Sequence, residues 1–78
     1  MLTKMTVEVK PGLFSSERTV SFHAIDRRHV LVVDARDVSG NKLKVHLIYK
    51  TDNEAVVELP TQTFAGPAQV KVLASLLV

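Results

Sequence analysis

Histidine and acidic side chains are the first place to look for chemistry, because imidazole binds metal and transfers protons at neutral pH. The chain has three histidines, His23, His29 and His46, with Asp26 between the first two. Turned to one side, these four would form a donor set of zinc type. No pair among them has the helical or hairpin spacing that marks a metal site, so each reads as a lone polar residue on the solvent face of its strand. No metal or other cofactor is expected. A hydrolytic triad can be assembled on paper from Ser15 or Ser16, a histidine, and Asp26 or Asp34. Neither serine sits in a nucleophile elbow, and 78 residues leave little room for a pocket that excludes water. Gly12, Gly40 and Gly66 are isolated, with no phosphate-cradling loop around them, and read as turn residues. The sequence therefore points away from an enzyme.

Binding offers more. Lys42, Lys44 and His46 alternate along one stretch, and Arg27 and Arg28 sit at a hairpin tip that can reach the same side. Together they form a candidate stripe for phosphates of RNA or single-stranded DNA, although outward lysines also guard strand edges against unwanted pairing. Aromatic stacking platforms are missing: only Phe14, Phe22, Tyr49 and Phe64 are aromatic, and Phe22 reads as core. A second set of candidates is apolar. Leu13 and Phe14 follow the first turn, Phe64 lies between Thr63 and Ala65, and Leu76 and Leu77 stand near the end of the sequence. Such residues either plug the open ends of a small barrel or anchor a protein partner.

The elements that must position these residues are strands. Apolar residues recur with period two, which only a pleated strand converts into one buried face. Met5, Val7 and Val9 alternate with polar residues over 4–10, and Pro11 and Gly12 are expected to end that strand in a turn with a positive φ at the glycine. Val20, Phe22 and Ala24 mark a second strand over 19–25. Val30 to Val33 is a continuous apolar run, as in a central strand covered on both faces. The polar residues 26–28 should make these two strands a hairpin. A two-residue loop would set His29 opposite Ala24 on the core face, and a three-residue loop would set it opposite Ile25 on the outer face. After the turn at Ser39, Gly40 and Asn41, a fourth strand carries Leu43, Val45 and Leu47. After Thr51, Asp52 and Asn53, a fifth carries Ala55, Val57 and Leu59. A longer loop over 60–67 precedes a sixth strand with Ala68, Val70 and Val72. The last six residues read as one helical turn packed on the core or as a final strand lent to a neighbour.

This spacing predicts one all-β domain over residues 1–78, a five- to six-stranded antiparallel barrel in preference to a sandwich, because closure removes exposed edges. Composition agrees. Seventy-eight residues support one core, and 46% hydrophobic residues with a mean hydropathy of +0.16 point to self-association in so small a chain. A net charge of +2 is too small to name nucleic acid as partner. With no cysteine there is neither disulfide nor thiolate chemistry. Neither a signal peptide nor an apolar run of membrane length is visible, so a cytoplasmic setting without membrane insertion is expected.

The stretch from Lys42 to Val78 resembles the second half of a Src-homology-three-like barrel. Leu43, Lys44, Val45 and Ile48 match its second strand, Ala55, Val56 and Val57 its third, Gly66 stands before the next, and residues 72–78 look like its short helical turn and closing strand. The resemblance implies a small barrel. Proline-rich peptide recognition does not carry over, because the chain has no Trp, no aromatic-rich first strand and no acidic loop to build the groove. The functional expectation is a non-catalytic interaction module, binding another protein or its own copies, with weak RNA or single-stranded DNA binding as the alternative.

Overall fold

A computed structural model of the chain describes residues 1–60 and 69–77, in the order β1 (Leu2–Thr6), β2 (Glu8–Pro11), β3 (Glu17–His23), β4 (Arg28–Asp34), β5 (Val38–Ser39), β6 (Lys42–Lys50), β7 (Glu54–Glu58) and β8 (Gln69–Leu73). Short 3₁₀ turns occupy Ala35–Asp37 and Ala74–Leu76, and none of the described residues is in an α-helix. No helix among the described residues is long and apolar enough to cross a membrane. Every strand pairing is antiparallel. One sheet runs β1-β6-β7-β8 with β5 also on β6, and the other runs β2-β3-β4.

The alternation over 4–10 is real, but the strand divides at Val7, which is buried and whose N–H donates to the Asn41 carbonyl at 2.9 Å. Its first part belongs to one sheet and its second to the other, so the same inward face serves both. Met5, Leu43, Val45, Val57 and Val72 from one sheet meet Val20, Phe22 and Val33 from the other in a single apolar core. Ser21 is the one buried polar residue among those described, and its hydroxyl contacts Glu8 at 3.4 Å and accepts from Arg28 at 3.1 Å. That pairing relieves the cost of its burial.

Local chemistry sets the connections. Gly40, at φ 60°, is the first central residue of the two-residue loop between Ser39 and Lys42, the position glycine takes in a type II′ hairpin. The Thr51 hydroxyl accepts from the Glu54 N–H at 3.1 Å and closes the β6–β7 turn. Asp34 caps the first 3₁₀ turn, accepting from the Arg36 N–H at 2.9 Å.

Four expectations change. The two sheets do not close into a barrel. From the β3–β4 turn to the other sheet runs a backbone hydrogen bond of 2.9 Å, Ile25 N–H to the Lys71 carbonyl of β8, and no strand pairing is seen between the two sheets among the described residues. The run Val30–Val33 is not a central strand but the edge strand β4, with Val30 and Val32 facing outward at 64% and 50% exposure. A four-apolar run cannot by itself distinguish two covered faces from one covered face and an apolar outer one. The β3–β4 hairpin takes neither expected register. It pairs Phe22 with His29 and His23 with Arg28 around residues 24–27, closed by Ala24 N–H to the Arg27 carbonyl at 2.9 Å. Gly12, finally, needs no positive φ. Strand β2 extends through Pro11, and glycine is required at 12 because a Cβ there would stand 2.8 Å from Glu17 Cβ and 2.9 Å from its carbonyl carbon.

Candidate interaction surfaces

The loop between β2 and β3 is tightly tied while its apolar side chains point away. Gly12 N–H donates to the Glu17 carbonyl (3.2 Å) and Glu17 N–H to the Phe14 carbonyl (3.0 Å). The Arg18 guanidinium adds bonds from Nη1 to the carbonyls of Ser15 (2.9 Å) and Glu17 (2.7 Å). On this frame Leu13 is 94% and Phe14 67% exposed. They do not fold back as plugs. At the other end of the sequence, Leu76 and Leu77 are half-buried against the core, and Leu77 bridges Met5 of β1. The 3₁₀ turn Ala74–Leu76 and the single bridge from Leu77 to Met5 pack these two candidate partner contacts partly against the core. Phe64 lies outside the described residues.

The outer face of the larger sheet carries the basic candidates. Register places Lys44 directly opposite Lys4, Lys42 opposite Thr6, and His46 between Leu2 and Glu58. Lys42 Nζ donates to Thr6 Oγ1 at 2.8 Å, while Lys4 and Lys44 are exposed and, among the described residues, have no acidic partner within ion-pair distance. Like charges placed opposite one another across a ladder are unfavourable unless an anion lies over them. Lys4 escaped the sequence reading because its outward phase was visible but its neighbour across the ladder was not. A bulge between Leu47 and Tyr49 reverses the side-chain phase and brings exposed Tyr49 onto this face, opposite Val56.

No described contact links Arg27 or Arg28 to this stripe. Arg27 lies 4.0 Å from Asp26, and Arg28 bonds Glu8 at 3.4 Å as well as Ser21. Arg28 comes nearest, lining with Thr6, Asn41, His23 and Leu76 a hollow of about 330 Å³ where the two sheets meet.

The histidines do not converge. Among the described residues no group of three or more His, Asp or Glu is placed to hold a metal. His23 and His46 are exposed, whereas His29 turns inward and stacks on Phe22, ring centroids 5.5 Å apart at 13°. It is therefore not the solvent-face residue its sequence position implied. Its buried Nε2 lies 3.6 Å from Asp26 Oδ1, outside hydrogen-bond distance, and no other described atom bonds it. Desolvation raises the Asp26 carboxyl, but backbone N–H groups and the nearby imidazole outweigh it and hold the group below its ordinary value.

No family model, curated protein or solved structure matches the chain. The functional reading therefore stands on these surfaces.

Proposed function

We propose that the chain is a non-catalytic protein-interaction module, binding a protein partner or its own copies through apolar residues held clear of the core. The observation that carries this is the loop after β2, where Leu13 and Phe14 are 94% and 67% exposed on a backbone fixed by four hydrogen bonds. Desolvated aromatic anchors dominate most interfaces, and a loop ordered in advance loses less entropy when it binds. Sedimentation velocity and apolar-dye fluorescence test it on the intact chain and on Leu13→Ser/Phe14→Ser. Association or dye binding that falls in the double variant supports the proposal. A strict monomer at high concentration with no dye binding overturns it.

We also propose a Src-homology-three-like arrangement of the strands. It is supported by the strand that passes from one sheet to the other at Val7, and by the 3₁₀ turn Ala74–Leu76 followed by the Leu77–Met5 bridge. Fold likeness does not fix an activity.

A second reading, weak binding of RNA or single-stranded DNA, is favoured by the unneutralised Lys4–Lys44 pair with Tyr49 on the same face. Its mark is salt-sensitive retention on a nucleic-acid column, lost on charge reversal at Lys42 and Lys44. Retention that charge reversal leaves unchanged removes it.

A further inference from the structure

We propose that strand β4 is a self-pairing edge, and that two copies of this chain join β4 to β4 antiparallel about a two-fold axis at Leu31, forming one continuous six-stranded sheet. This rests on the reading of the chain as an interaction module and names its partner as a second copy.

Sheet edges present unpaired N–H and C=O groups, and proteins usually blunt them with charge, proline, short length or cover. The other edges here are blunted. Strand β2 has four residues and ends in Pro11, with Glu8 and Lys10 along it. Strand β5 has two residues, β1 is bridged by Leu77, and β8 carries Lys71, whose carbonyl accepts from Ile25. Strand β4 has seven residues, Arg28–Asp34, with no proline, lysine or bulge, and no described residue pairs with its outer side.

The phase of its free groups follows from the ladder. Ala24 N–H bonds the Arg27 carbonyl and Ala35 N–H the Ser16 carbonyl, and both pairs share the β3–β4 register, so odd-numbered residues of β4 bond β3. The even-numbered ones, Arg28, Val30, Val32 and Asp34, present their backbone groups outward. An antiparallel self-pairing must match even with even. Centred on Leu31, it sets Val30 opposite Val32 and Arg28 opposite Asp34, and pairs every residue of the strand. Centred on Val32 it would oppose Arg28 to Arg36, and centred on Val30 it would oppose Asp34 to Asp26. Of the three registers, the Leu31 axis alone opposes unlike charges, adding Asp34 of one copy to Arg28 of the other beside the Glu8 and Arg36 contacts each already has within its own chain, and this selects a second copy as the partner. The four outward valines then cover one another, although in one copy Val30 and Val32 are 64% and 50% exposed. The interface is isologous, so it closes at a dimer.

The chain has no cysteine, which gives a clean test. On the Leu31 axis the two Leu31 residues form a non-hydrogen-bonded pair with Cα atoms about 4.5 Å apart, within disulfide range. Leu31→Cys should cross-link with itself under mild oxidation, Val30→Cys alone should not, and Val30→Cys mixed with Val32→Cys should. Val32→Lys should weaken the dimer at least about tenfold in sedimentation, about 1.4 kcal/mol, with circular dichroism unchanged. If the chain dimerises but Leu31→Cys stays monomeric on a denaturing gel and Val32→Lys associates as before, this inference falls while the interaction reading stands. If the unsubstituted chain stays monomeric but binds apolar dye, this inference falls alone; if it neither associates nor binds the dye, both fall.

Discussion

Replacing Leu13 and Phe14 with serine separates the two roles these residues can have. Phe14 is 67% exposed, so about a third of it is buried. Full burial of such a side chain contributes about 1.5–3 kcal/mol, which makes the loss on truncation about 0.5–1 kcal/mol. Leu13, at 94% exposure, adds almost nothing. The double variant should therefore unfold within about 1 kcal/mol of the parent, a shift of about 1 M or less in the urea midpoint at a slope of about 1 kcal/mol per M. Residues plugging the core would behave differently, since large-to-small changes at buried Leu and Phe cost about 2–5 kcal/mol each. Leu43→Ala, at a fully buried position between Met5 and Val38, supplies that scale in the same assay. Urea titration followed by circular dichroism measures all three proteins. A double variant destabilised as much as Leu43→Ala would refute the surface assignment.

Lys44→Glu converts the opposed Lys4–Lys44 pair into an attractive one and should stabilise the chain by about 0.2–1 kcal/mol in low salt; the gain should shrink in thermal melts at 1 M salt, where screening is short-ranged. Gly12→Ala drives a methyl to 2.8 Å from Glu17 Cβ and should cost about 1–3 kcal/mol in urea unfolding; Gly40→Ala meets nothing within 4 Å but should also destabilise, through its φ of 60° rather than through a clash. Asp26 has its pKa lowered by folding, so it contributes stability above the ordinary carboxylate value that is lost as pH falls through the folded one. Melting temperatures of Asp26→Asn and the parent should accordingly differ near neutral pH and converge as the pH falls through the lowered carboxyl value, below the ordinary carboxylate range.

Most of the strands were legible because period-two alternation depends only on which face meets the core. Met5, Val7 and Val9, and later Leu43, Val45 and Val57, announce their burial by position alone. What escaped was information held between strands. The break at Val7 changes no side-chain phase, since both halves keep the same inward face, so the alternation shows no sign of the change of sheet. Strand β4 was misplaced because exposed valines look like buried ones until the neighbour beyond them is known. The Lys4–Lys44 opposition needed the β1–β6 register, and the side on which His29 falls needed the length of the β3–β4 connection: four residues set it on the core face, as two would have, whereas three would set it outward. Leu13 and Phe14 were visible as candidates, but only the bonds that tie their loop to Glu17 and Arg18 decide that they point outward.

The most direct test of the interaction-module reading is sedimentation equilibrium of the unsubstituted chain up to about millimolar concentration, where even associations of about −4 kcal/mol become visible. The expected mass rises toward that of two 8.6 kDa chains and falls back in Leu13→Ser/Phe14→Ser. A constant 8.6 kDa across the whole range, without apolar-dye binding, would contradict it.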